Sequence, residues 1–145
     1  RSFQSLPHRI EKIISSNNIR WYNDSKSTNC ESTIAALNYL EKNIILIIGG
    51  SNKIIDYEKL SYEINKSVKI IIFVGENKEI LKKELNINIK YEDADDYESA
   101  VNLAVSYAIS GDSVILSPAS PSFDMFSSFE QRGETFKKVV KNIVS

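Results

Sequence analysis

The chain has 145 residues, 42% hydrophobic and 26% charged, with a formal net charge of −1, which suits one soluble globular domain with a core of its own. Its lysines are scattered among acids, so neither nucleic acid nor an anionic membrane surface is an expected partner. One cysteine, Cys30, excludes an internal disulfide and a zinc cluster and makes a reducing compartment the default. No apolar run reaches membrane-spanning length and no secretory signal opens the chain. The chain opens at Arg1 without a methionine, from which we expect a fragment or a processed product.

Glu11–Ser15 and Arg20–Asn23 read as two short strands around Asn17-Asn18, residues that tolerate positive φ in a tight turn. The pattern then predicts a helix over Asn29–Leu40, with hydroxyl and amide caps before it. Ile44–Ile48 is continuously apolar and β-branched, as a strand covered on both faces should be. Next come a helix over Asp56–Ile64, a buried strand over Val68–Val74 and a helix over Asn77–Leu85. A weak edge strand over Ile89–Tyr91 follows, then a helix over Asp95–Ile109 with Ala100, Leu103, Ala104 and Tyr107 turned inward. Gly111-Asp112 leads into a last strand ending at Leu116, and a helix over Phe129–Val144 closes the chain. Strand and helix alternate after the hairpin. The expected fold is therefore α/β: a Rossmann-like, mostly parallel sheet flanked by helices, with one antiparallel strand from the N-terminal hairpin. We expect a single domain over residues 1–145, since no repeat, low-complexity tract or linker interrupts it.

Three strand-to-helix junctions concentrate polar residues. In a parallel sheet all three leave carboxyl ends of strands, the edge where open α/β folds bind ligands. Asn23-Asp24-Ser25-Lys26-Ser27-Thr28-Asn29 places an aspartate and a lysine just before a helix. The lysine and the helix-start N–H groups suit phosphate or carboxylate, and the aspartate suits a hydroxyl or an amine. Capping by Ser27, Thr28 and Asn29 explains part of this run, but it does not require Asp24 or Lys26. In Gly49-Gly50-Ser51-Asn52-Lys53 the glycines allow close backbone approach and Lys53 offers a compact charge. A plain turn with a solvated lysine is the competing reading. The third junction runs from Ser117 to Gly133 with Ser117, Ser120, Ser122, Phe123, Phe126 and Phe129. It lacks a G-x-S-x-G elbow and the single histidine is distant in sequence, so its hydroxyls are suited to bind rather than to attack. Glu130 and Arg132 are read as an ion pair holding this loop. Cys30 is read as a small buried residue, and Asp93, Asp95 and Asp96 as a solvated turn with no metal. Neither a P-loop (G-x-x-x-x-G-K-[ST]) nor a G-x-G-x-x-G fingerprint occurs in the chain.

Taken in order, Leu6-Pro7-His8-Arg9-Ile10-Glu11, Asn23-Asp24-Ser25-Lys26-Ser27-Thr28-Asn29, Gly49-Gly50 with Lys53, and Ser117-Pro118-Ala119-x-x-Ser122-Phe123-Asp124-x-Phe126-x-x-Phe129-Glu130-x-Arg132-Gly133 resemble the carboxyl-terminal domain of the Mur ligases. Within that family they resemble the members that add D-glutamate. The likeness spans nearly the whole chain, and its last motif is the most specific. Ser51-Asn52 and Phe123 depart from residues common in the family, though neither change removes a ligand.

The resemblance implies a cytoplasmic, ATP-dependent ligase of peptidoglycan precursor synthesis, expected to be a monomer. Such an enzyme joins D-glutamate to UDP-N-acetylmuramoyl-L-alanine through an acyl phosphate. It further implies that Thr28, Lys53, Ser122, Phe123 and Phe129 bind D-glutamate, and that His8, Arg9, Asp24 and Lys26 close on the nucleotide. Lys26 would be catalytic beside the transferring phosphate. ATP and Mg2+ would be held mainly by a central domain absent from this chain, and the isolated domain would be inactive. Two other readings remain: a stand-alone amino-acid or nucleotide binding module, and a Mur ligase for another amino acid.

Overall fold

The computed structural model describes residues 8–51, 56–123 and 126–144. In chain order the elements are β1 (Glu11–Ser16), β2 (Ile19–Asn23), α1 (Cys30–Leu40), β3 (Ile44–Ile48), α2 (Tyr57–Ser67), β4 (Val68–Phe73), α3 (Lys78–Glu84), β5 (Lys90–Asp93), α4 (Tyr97–Tyr107), β6 (Ser113–Leu116) and α5 (Phe129–Val144). The strands form one sheet in the order β1-β2-β6-β3-β4-β5. Only β1 and β2 pair antiparallel; β2–β6, β6–β3, β3–β4 and β4–β5 are all parallel. The expected α/β sheet with its hairpin is therefore what the chain forms.

Local chemistry sets each boundary. Asn17 and Asn18 take φ of 55° and 61°, the paired left-handed conformation that a two-residue hairpin turn requires. The β1–β2 register slips between Lys12 and Ile14, so Ile13 is the extra residue of a bulge. Asn29 caps α1 by accepting from Ser32 N at 2.9 Å, and Asp56 caps α2 by accepting from Lys59 N at 3.2 Å. The fourth helix is shorter than the periodicity predicts. Asp96 is its cap, accepting from Ser99 N at 2.8 Å, and Ala108 is already extended. The helix also turns Tyr97, Ala100, Val101 and Ala104 inward, which leaves Leu103 and Tyr107 at the margin, only partly buried.

The two faces of the sheet carry separate cores. Ile44, Leu46, Ile48, Ile71, Phe73 and Ile115 pack against Ala36 and Leu37 of α1, Leu60 and Ile64 of α2 and Leu81 of α3. On the other face Ile45, Ile47, Ile70, Ile72, Val114 and Leu116 pack against α4 and against Phe136 and Val140 of α5. All five residues of β3 are fully buried, as a strand with helices on both sides requires. Each such side chain contributes about 1.5–3 kcal/mol of burial free energy, enough to hold the loop-bearing edge rigid.

The connection from β2 to β3 carries α1 on one face, whereas β6 is reached through α4 on the other. The chain thus reverses direction across the sheet where β6 lies between β2 and β3. Ligands bind beyond the carboxyl ends of strands at such a reversal.

Candidate functional site at the carboxyl edge of the sheet

Because β2, β6 and β3 are neighbours, the loops that leave Asn23, Leu116 and Ile48 emerge side by side. The backbone binds them together. Asp24 N donates to Leu116 O at 2.8 Å, Ser117 N to Ile47 O at 3.1 Å, Gly49 N to Pro118 O at 3.2 Å and Ser51 N to Pro121 O at 2.9 Å. Ala119, fully buried, takes φ of 57°, an uncommon conformation for a residue with a side chain.

Asp24 is the centre of the first loop. It is 1% exposed, and its Oδ1 accepts from Ile10 N at 3.0 Å while Oδ2 accepts from the hydroxyls of Ser27 and Ser117. Burial pushes its carboxyl above the ordinary aspartate value, against the opposing effect of the two hydroxyls, the Ile10 N–H and the charge of Arg9. A single carboxylate thus ties the hairpin entry, the first loop and the third loop together.

His8 is buried, and its ring lies within the protein. Asn23 Oδ1 accepts from Ser25 N at 3.1 Å, which orients the amide so that Nδ2 faces His8 Nδ1 at 2.8 Å. The ring proton then belongs on Nε2, which lies 3.5 Å from Glu134. Asn23 Nδ2 also donates to Glu11 at 3.1 Å. Burial opposes ionisation of Glu11, but the His8 N–H, Lys137 and Asn23 outweigh it and hold this carboxyl below its usual value. Gly133 makes the arrangement possible, because a Cβ there would stand 2.1 Å from His8 Nδ1.

Two concavities open on this edge. The first, about 230 Å³, is lined by Arg9, Ile10, Asp24, Ser27, Glu31, Ser32 and Ala35. Arg9 is exposed there. The second, about 420 Å³, lies under the third loop and is lined by Thr28, Pro121, Ser122, Phe123, Ser127, Ser128, Phe129 and Glu130. It brings Thr28 of the first loop to Ser122, Phe123 and Phe129 of the third. Ser122 is buried at its floor, while Phe123 is 75% exposed. Lys26 is exposed, and its Nζ sits 5.7 Å from the centre of the Phe129 ring, which places a cation beside the second concavity. Lys53 lies outside the described residues, on the segment that follows Ser51.

The supporting residues were not legible as such. Arg132 was expected to pair with Glu130. Instead it is fully buried and donates from Nε to Ser25 Oγ at 3.0 Å and from Nη2 to Ser25 O at 2.8 Å, while Glu130 is exposed. Ser25 Oγ in turn donates to Phe129 O at 2.6 Å. Ser128 Oγ accepts from Gln131 N at 3.1 Å, and Gln131 Oε1 accepts from Ser127 N, so serine and glutamine cap α5 reciprocally. Asn77, on a fourth loop after β4, was overlooked. The Gly75-Glu76-Asn77 run at a strand end was its only sequence signal. Cys30 is buried as expected and donates to Asp56 O at 3.2 Å. Among the described residues no group of three or more His, Cys, Asp or Glu is placed to hold a metal ion, and no helix is long and apolar enough to cross a membrane.

Fold and loop edge together define an α/β domain of the doubly wound class, a class that binds ligands at this edge. The chain belongs to the Mur ligase, glutamate ligase domain family, whose pattern matches residues 8–120. It is similar to UDP-N-acetylmuramoylalanine--D-glutamate ligase of Bdellovibrio bacteriovorus, with 41% identity over 140 residues, 97% of this chain and 30% of that protein. The enzyme of the same name from Clostridium perfringens is 39% identical over 149 residues, covering 98% of this chain and 32% of that protein. The chain thus spans about a third of the length of the curated relatives it matches. Among solved structures, MurF ligase from Thermotoga maritima in complex with ADP superposes with a TM-score of 0.63 at 16% identity, over 97% of this chain and 33% of that one. FolC of Escherichia coli in complex with ADP gives 0.66 at 16% identity, over 94% and 32%. At this identity they share the fold.

Proposed function

We propose that this chain is the amino-acid-binding, carboxyl-terminal domain of a three-domain cytoplasmic ligase that joins D-glutamate to UDP-N-acetylmuramoyl-L-alanine at the expense of ATP. The observation that carries the reading is the 420 Å³ concavity, where Thr28 of the first loop meets Ser122, Phe123 and Phe129 of the third, more than ninety positions further along the chain. Identity near 40% to the D-glutamate ligases along almost the whole chain supports it.

D-glutamate is a dianion with one nucleophilic nitrogen. Lys53 supplies charge to a carboxylate, and the hydroxyls of Thr28 and Ser122 with the backbone at Phe123 and Phe129 supply directed donors. The γ-phosphoryl group of ATP passes to the carboxylate oxygen of the alanyl terminus, leaving ADP. The amine nitrogen of D-glutamate then attacks that carbonyl carbon, the C–O bond to phosphate breaks, and the amine gives up a proton as the amide forms. Lys26 stabilises negative charge on the transferring phosphoryl group. Arg9 meets the nucleotide from the smaller concavity, with Asp24 lining it, whereas the expected nucleotide contact by His8 gives way to a supporting one, its buried ring facing Asn23. No group of three or more His, Cys, Asp or Glu among the described residues is placed to hold Mg2+.

Phosphate release from the full-length protein containing this chain tests the reading. Turnover should require ATP, UDP-N-acetylmuramoyl-L-alanine and D-glutamate together, and L-glutamate should not substitute. Turnover with lysine or diaminopimelate in place of D-glutamate would favour a ligase for another amino acid. Turnover by the 145-residue chain alone would overturn the division of labour.

A further inference from the structure

Asn77 is 3% exposed and does not line the larger concavity. Its side chain nevertheless ties the loop after β3 to the loop after β6, and the second of these lines that concavity. Oδ1 accepts from Gly50 N at 2.9 Å, while Nδ2 donates to Ser120 Oγ at 2.9 Å and reaches Ser51 O at 3.4 Å. The backbone N of Asn77 donates to Gly50 O at 3.0 Å. Every polar atom of the amide is thus used, and each use fixes one loop relative to the other. The space leaves no alternative. A Cβ on Gly49 would stand 1.7 Å from Val74 O, and one on Gly50 would stand 2.4 Å from Pro121 O and 3.0 Å from Ser120 Cβ. The loop after β3 is therefore pressed between the loops after β4 and β6, with Asn77 as the cross-tie.

We infer that Asn77 is a positioning residue for the amino-acid substrate: it sets the separation of the Gly49–Ser51 loop from the loop that carries Ser122 and Phe123. This rests on the reading that the concavity holds D-glutamate. Ser120, which Asn77 holds, is two residues from Ser122, so a shift in the first displaces the second. Misplacing a binding group by about 1 Å can cost on the order of 100-fold.

In the full-length ligase, Asn77→Ala should raise the KM for D-glutamate about 10- to 100-fold, with the KM for ATP unchanged. Ser120→Ala removes only the acceptor of Nδ2 and should give a smaller rise in the same constant. The double variant should show a D-glutamate KM no higher than Asn77→Ala alone, because the tie that Ser120→Ala cuts is already lost with the Asn77 amide. A merely structural role would lower the melting temperature and the active fraction without moving that KM. If Asn77→Ala does not fold, Ser120→Ala carries the test. A wild type with D-glutamate turnover, beside variants whose KM is unmoved, overturns this inference alone. A wild type without such turnover overturns the function and the inference together.

Discussion

Arg132 and Ser25 are 107 positions apart, yet the guanidinium of one grips both the hydroxyl and the carbonyl of the other. That contact fastens the start of α5 to the loop bearing Lys26 and Thr28, so both walls of the larger concavity move as one. It also places a cation in the interior, where hydrogen bonds to charged groups are worth about 1.5–3 kcal/mol each.

Arg132→Met keeps much of the buried volume and removes the donors. We expect a loss of about 2–4 kcal/mol in urea unfolding, together with a higher KM for D-glutamate in the full-length enzyme. Ser25→Ala should cost less, because the carbonyl it leaves behind still accepts from Nη2. Equal costs for the two variants would contradict the geometry.

Gly133→Ala should destabilise by about 1–3 kcal/mol, since the added methyl meets the His8 ring. The cost should fall when His8→Ala is combined with it, because only the 2.9 Å approach to Asn23 Nδ2 then remains. Strict additivity of the two substitutions would show that the ring is not what the methyl meets.

Asp24 and Glu11 should leave opposite marks on stability as pH changes. For Asp24 the folded value is raised, so in the range just above the ordinary aspartate value the folded state holds more proton than the unfolded chain. Its contribution is fully present below that ordinary value and is lost as pH rises through the folded one. Glu11 is lowered; its contribution is present above the ordinary glutamate value and is lost as pH falls through the folded one. Urea midpoints between about pH 3 and 7 check both. Wild type minus Asp24→Asn should decline with rising pH, and wild type minus Glu11→Gln should grow. A reversed slope for either would refute the assignment.

Lys26 is exposed, so Lys26→Ala should leave stability within about 0.5 kcal/mol while lowering kcat by roughly 100- to 1000-fold, the range for removing one group that stabilises transition-state charge. An effect confined to KM would assign Lys26 to ground-state binding instead.

What could be read from the sequence follows the range of the forces involved. The five β-branched or leucine residues of β3 and the Asn17-Asn18 turn announce themselves because their signals are local. The three loops on one edge follow from the parallel sheet alone. Arg132 was misassigned because the nearest acid in sequence, Glu130, is a natural partner on paper. Only the packing of α5 brings Ser25 to the guanidinium. Asn77 carried no mark beyond a turn-like run, and its role exists only once three loops converge. The fourth helix ends before its sequence pattern does, because apolar residues continue past Tyr107 whereas hydrogen bonding stops where Ala108 turns extended.

The place of β6 between β2 and β3 bears on how the chain is made. Two strands that follow one another in sequence cannot complete their shared surface until a strand some seventy residues later slots between them. During synthesis, with Ser113–Leu116 still inside the ribosome, both would present raw hydrogen-bonding edges. A nascent chain stalled before Ser113 should therefore be cleaved readily by protease, and one released past Val144 should resist. In this sheet β6 is made after β1 to β5 and closes the gap between β2 and β3, so the candidate site resting on its far end is assembled only when those strands already exist.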